Sequence, residues 1–121
     1  MTDAIHHLVA AETYQALAPG EPYLPAAFAE HGFIHCTQDP ASMAVVANLV
    51  FRDEPGTFLV LVIDPARVTS EVRFEPPSPP AAADSPLAGV LFPHIYGPLN
   101  RDAIISVRAA VRAPDGRFLR T

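Results

Sequence analysis

Three observations predict an α+β fold for this chain of 121 residues. Residues 57–64, "TFLVLVID", form a continuous apolar and β-branched run of the kind found in a central strand covered on both faces. Residues 103–112, "AIISVRAAVR", alternate with the side-chain period of a strand. Residues 40–51 place Met43, Val46, Ala47 and Val50 along one helical face behind an Asp39-Pro40 start. The pattern predicts a single domain spanning residues 1–121, with a mostly antiparallel, twisted sheet and two short helices.

Taken in order, "IHHLV" (5–9) predicts a short strand with Ile5, His7 and Val9 on one face and His6 and Leu8 on the other. Glu12 to Ala18 predicts a short helix, stopped by "PG". Residues 28–35 lead through "EHGF" into a strand, "FIHCT", with Phe33, His35 and Thr37 facing away from Ile34 and Cys36. Asp39 caps the second helix, because its carboxylate can accept the free N–H groups of the first turn. "EVRF" (71–74) predicts a strand, and period two puts Arg73 and Glu75 on the same side. Residues 76–89, "PPSPPAAADSPLAG", are too poor in large apolar groups to pack and predict a surface loop. "LFPHIYGPL" (91–99) predicts a rigid turn in which Pro93, Gly97 and Pro98 aim His94 and Tyr96 the same way, with Ile95 and Leu99 anchored in the core. "PLNRD" predicts a helical turn, and "APDGRF" closes a hairpin onto Phe118 and Leu119.

Composition excludes several classes. No run of about 18 apolar residues occurs, so a membrane span is excluded. "MTDAIHHL" lacks the basic start and apolar stretch of a signal peptide, and the lone Cys36 cannot form an internal disulfide; both favour the cytoplasm. A net charge of −5, with eight Arg and no Lys, argues against nucleic acid as a partner.

Chemistry concentrates in the histidines. His7, His35 and the pair His94 and Tyr96 meet on one surface if their strands are neighbours in the right register; otherwise each is a core or edge histidine bonded to backbone carbonyls. Arg73 and Glu75 suit either ligand contact or an exposed ion pair. Cys36 faces away from His35, which argues for a small buried hydrophobe over a nucleophile. No H-x-H, C-x-x-C, G-x-G-x-x-G or P-loop occurs, so no metal is expected and no standard phosphate cradle is present.

"IHHL", "GFIHCT", "LVIDP" and "FPHIYGPL", in this order from about Ile5 to Val107, resemble the domain-of-unknown-function family numbered 952, small bacterial proteins of about this length. His7 matches the histidine of its first motif. Gly32 to Cys36 match its second, with Thr37 in place of the usual Ser, and Pro93 to Pro98 match its third. The resemblance implies an ADP-ribosyltransferase-like fold, with NAD held in a cleft between two small split sheets. By that analogy His7, Arg73 and Tyr96 bind the cofactor, and His35, His94 and Glu75 are catalytic. The implied function is NAD or nucleotide binding, with ADP-ribosyl or phosphoryl transfer. A non-enzymatic module binding a nucleotide-like small molecule, or a hydrolase of an ADP-ribose-type or phosphoester substrate, fits the same residues. A homodimer is left open.

Overall fold

The computed structural model describes residues 3–78 and 80–121; Met1 and Thr2 of the N-terminal stretch and Pro79 of the Pro/Ala-rich loop lie outside them. The chain runs β1 (Ile5–Ala10), α1 (Ala11–Gln15), α2 (Phe28–His31), β2 (Ile34–His35), α3 (Pro40–Val50) and β3 (Phe58–Ile63). It continues through β4 (Glu71–Glu75), β5 (Phe92–Tyr96), β6 (Ile104–Ala109), β7 (Val111–Arg112) and β8 (Phe118–Arg120). Two 3₁₀ turns, Pro65–Arg67 and Arg101–Ala103, complete the order.

The strands form two three-stranded sheets, β1-β3-β6 and β2-β5-β4, and a β7-β8 hairpin, with antiparallel pairing throughout. β3 is central and apolar on both faces. Leu61 and Ile63 join Ile5, Val9, Ile34, Ile95 and Leu99 in the core shared by the two sheets. Phe58 and Val60, facing the other way, join Leu8, Met43, Ala47 and Phe118 in a second core beneath α3. A strand with an apolar core on each side has no face left for polar residues, hence the unbroken "FLVLVI".

Asp39 caps α3 by accepting the Ala41 N–H at 3.2 Å, with Pro40 in the first turn. Asn48 then clamps the helix to β8. Its amide nitrogen donates to the Phe118 carbonyl at 3.0 Å, and its side-chain oxygen accepts the Phe118 N–H at 2.7 Å. Met43 and Ala47 are buried as the periodicity predicts, whereas Val50, at the end of the same stripe, is 62% exposed, and the end of the helix packs through Phe51 against Phe58 instead.

Four expectations need correction. The described residues contain three helices rather than two, because residues 28–31 make a helical turn that Gly32, at φ +79°, ends in the left-handed region. The "FIHCT" strand shrinks to Ile34–His35. Beyond it the chain leaves the second sheet and joins the first, where Thr37 bridges His6. The 103–112 run is interrupted at Ala110, whose N–H goes to the Phe58 carbonyl, and this separates β6 from β7. Most of its apolar side chains stay open to solvent, Ile105 at 52% and Val107 at 41%, because β6 is an edge strand.

Last, the stretch read as a rigid turn is largely a strand: Phe92–Tyr96 is the centre of the second sheet. Pro93 is accommodated because β2 ends at His35; one step beyond, the Pro93 carbonyl still accepts the Cys36 N–H at 3.0 Å. The turn itself begins at Gly97, where a Cβ would collide with the Ser70 side chain.

Candidate functional site

The site is built by register on the outer face of the second sheet. His94, at the centre of β5, lies directly across from His35 on one side and Arg73 on the other, while Tyr96 lies across from Glu71. Residues directly opposite in an antiparallel pair share a face. His35, His94, Tyr96, Glu71, Arg73 and Glu75 therefore project together, while Ile34, Ile95 and Val72 project into the core.

The contacts on this face are specific. Glu75 Oε1 accepts from His94 Nδ1 at 2.8 Å and also from the Tyr96 hydroxyl in a short hydrogen bond. Phe33 stacks on the His94 ring with centroids 4.0 Å apart and planes 21° from parallel. His35 Nε2 shares a hydrogen bond of 2.9 Å with His31 Nδ1, and its ring lies edge-on to His94 at 5.6 Å. The Arg73 guanidinium lies 4.6 Å over the Tyr96 ring and pairs with Glu71 at 2.9 Å.

His7 belongs to the other sheet and plays a different part. Its Nδ1 donates to the His35 carbonyl at 2.6 Å, and its Nε2 accepts from the Tyr23 hydroxyl at 2.8 Å. Both nitrogens are committed, so this buried ring braces the strand that carries His35. His6, on the opposite face of β1, similarly meets the Thr37 carbonyl at 3.1 Å.

Burial and neighbours set the charge states. Full burial pushes His7 down to about 4. His35 also falls to about 4, first through burial and then through the imidazoles of His31, His94 and His7. Both are neutral near pH 7. The hydrogen bonds from Tyr96 and His94 hold Glu75 below the usual carboxylate range, and the same carboxylate pushes the Tyr96 phenol up. Burial raises the Cys36 thiol, leaving it an inert apolar filler within the core.

The structure thus brings five of the six sequence-predicted residues onto one face: His35, His94, Glu75, Arg73 and Tyr96. The sixth, His7, reaches His35 through its backbone only. Arg73 and Glu75 do not pair with each other; Arg73 takes Glu71, and Glu75 takes His94 and Tyr96. Sequence reasoning missed His31, Tyr23 and the stacking role of Phe33. The histidine spacing 31/35 was a usable signal, concealed by reading 28–35 as a lead-in to a strand.

The face is a covered surface rather than an open cleft: Phe33 lies over His94, which is 2% exposed. Two surface hollows of about 480 and 510 Å³ lie elsewhere and share Pro55 and Gly56. Arg112 lines the first, with four of its five N–H donors on the carbonyls of Gly116, Gly56, Phe51 and Arg52, so it chiefly ties these loops together. Among the described residues no group of three or more His, Cys, Asp or Glu is placed to hold a metal ion, and no helix is long and apolar enough to cross a membrane.

A family model described as a protein of unknown function (DUF952) matches residues 8–107, which span "GFIHC" and "PHIYGPL". The chain belongs to the DUF952 family. The fold of this DUF952 chain is similar to the crystal structure of protein CC0527 from Caulobacter crescentus. That protein is 21% identical, with a TM-score of 0.73 over 95% of this chain and 92% of that one. The solution NMR structure of CC0527 is similar too, at 20% identity and a TM-score of 0.69 over 94% and 90%. None of the curated proteins matches this DUF952 chain.

Proposed function

We propose that the outer face of the second sheet binds an NAD- or nucleotide-like small molecule and transfers its ribosyl or phosphoryl group. The observation that carries this reading is Glu75, whose one carboxylate oxygen is gripped by both His94 and Tyr96 beside a second, neutral histidine. A carboxylate braced by an imidazole and a phenol is pre-organised to act on a reacting centre. The division of the strands into two small antiparallel sheets over a common core supports an ADP-ribosyltransferase-like arrangement.

The residues fit such a ligand in a definite way. Tyr96 and Phe33 offer ring faces for a planar heterocycle, and Arg73 is the cation nearest to them for a phosphate. Arg73 covers one face of Tyr96 and His94 covers one face of Phe33, so a planar ligand uses the opposite face of Phe33 or enters as Arg73 swings from Tyr96 toward its phosphate. Loss of nicotinamide from NAD develops positive charge on the ribose carbon. Glu75 then balances that charge or takes the proton of the acceptor, and His94 holds the carboxylate in position. His35, neutral at pH 7, hydrogen-bonds a ribose hydroxyl.

Incubation of the purified protein with NAD, followed by measurement of released nicotinamide, tests this. Turnover is expected, with Glu75→Gln lowering it about a hundredfold or more while binding persists. Binding of ADP-ribose or NAD without turnover in the unaltered protein would reduce the site to a recognition module. Absence of both would end the nucleotide reading.

A further inference from the structure

His31 lies outside the motifs that carry the family resemblance, yet with His35 it makes the closest contact between two imidazoles on the candidate face. It closes α2, and Gly32 turns the chain so that His35 on β2 comes back beside it. His31 Nδ1 and His35 Nε2 end 2.9 Å apart, with ring planes at 82° and centroids 4.8 Å apart. Two imidazole nitrogens at about 2.0–2.1 Å from one metal ion are about 2.9 Å apart at the right angles of a square-planar Cu²⁺ or Ni²⁺ site, and about 3.3 Å apart at the tetrahedral angle of Zn²⁺. The backbone thus already holds the two nitrogens at a chelating span.

In the metal-free pair, a single proton bridges the nitrogens, since one ring must donate and the other accept. An ion takes that place once the donating ring carries its proton on its other nitrogen instead, so that both rings stay neutral and turn their lone pairs toward a shared point. His31 is exposed and free to make that turn. His35 is fixed from behind, because its carbonyl is held by His7 Nδ1 at 2.6 Å. Beyond His35 the His94 ring, 5.6 Å away, is bonded to the Glu75 carboxylate, which puts a negative charge one ring removed from the ion. Imidazole nitrogens select first-row ions such as Zn²⁺, Ni²⁺ and Cu²⁺ over Mg²⁺ or Ca²⁺, with Cu²⁺ held most strongly.

We propose that His31 and His35 form a two-histidine site for a first-row divalent metal ion, open to water at its remaining positions. This does not rest on the nucleotide reading, which shares His35 but needs neither His31 nor a metal.

The test is titration of chelator-treated protein with Ni²⁺, Zn²⁺ and Cu²⁺ by calorimetry, with electron paramagnetic resonance on the Cu²⁺ form. One-to-one saturable binding is expected, with two nitrogen ligands in the Cu²⁺ spectrum. His31→Ala, at an exposed position, leaves the fold intact and weakens binding by about a hundredfold or more, the upper end of what loss of an outer-shell partner alone costs. If His35→Ala fails to fold, His35→Gln keeps the volume and removes the ligand. Lack of saturable uptake, unchanged affinity in His31→Ala, or a Cu²⁺ spectrum without two nitrogens would each overturn the proposal. None of these readouts depends on catalysis.

Discussion

The two three-stranded sheets both carry histidines in apolar surroundings and use them in opposite ways. In β1-β3-β6, the His7 ring is walled in and both of its nitrogens are satisfied, by Tyr23 and by the His35 carbonyl. In β2-β5-β4, His35 and His94 stand on a face whose partners are other titratable side chains: His31, Glu75 and Tyr96. The difference follows from what covers each sheet. The first is packed on both faces, against the second sheet and against α3, so a polar group there must be silenced by hydrogen bonds. The second has one face in the core, and its other face, touched by Phe33 and by His31 of α2, gathers titratable side chains that pair with one another.

If this contrast is right, damage to the first sheet costs stability and damage to the second costs function. The largest effect is expected for Leu61→Ala, at the fully buried centre of β3. Removing a core leucine costs about 2–5 kcal/mol. Urea denaturation should show this as a lowered midpoint with an unchanged slope, and a cost well below 1 kcal/mol would mean the double core is loosely packed.

Acid should strike the same sheet next. His7 titrates near 4 in the folded protein and near its ordinary 6.5 when unfolded, so the unfolded chain binds the extra proton first. Stability from this group is therefore complete above pH 6.5 and is lost progressively as pH falls toward 4. A shift of this size corresponds to roughly 3 kcal/mol. Denaturation at pH 7 and pH 4.5 checks it, and His7→Gln should reduce the dependence to the share carried by His35, which is lowered in the same way; an unchanged slope in that variant would assign the acid sensitivity elsewhere.

What the sequence made legible follows the same division. Period-two alternation placed His94 with Tyr96 and His35 apart from Cys36, because facing is a local property of a strand. The neighbour relations of those strands are not local. That β5 is flanked by both β2 and β4, and that this delivers Glu75 to His94, depends on pairings some 20 to 60 residues apart along the chain, which periodicity does not encode. β5 itself was hidden by its proline and following glycine, which read as turn chemistry until the brevity of β2 explains how a proline can stand there. The three-residue step from α2 to β2 concealed His31 for the same reason: helix and strand periods cannot both be recognised in eight residues.

A third prediction isolates the brace between the sheets. Tyr23→Phe removes the hydroxyl that His7 Nε2 accepts from, leaving a buried acceptor without a partner at almost no change in volume. The expected cost is about 1–3 kcal/mol in urea denaturation. Because His7 also holds the His35 carbonyl, the histidine ring signals of His35 should shift in the NMR spectrum of this variant, while those of residues at the far β7-β8 hairpin stay in place.

The smallest stability effect belongs to the second sheet and is also the sharpest test of the contrast. Tyr96→Phe deletes one of the two donors on Glu75 Oε1, but the carboxylate is one-third exposed and water can take the donor's place. The denaturation midpoint is expected to stay where it was. What changes is the carboxylate: the Tyr96 hydrogen bond is the first cause holding Glu75 below the usual range, so its titration moves up, toward that of an ordinary glutamate. The remaining bond from His94 keeps the shift incomplete, and adding His94→Leu should move it further, short of an ordinary glutamate because the Arg73 charge still acts on it. Carboxyl-carbon NMR through an acid titration reads this directly. A Glu75 titration unmoved by Tyr96→Phe, or a variant that unfolds far more readily, would place this face among the structural ones and remove the distinction between the two sheets.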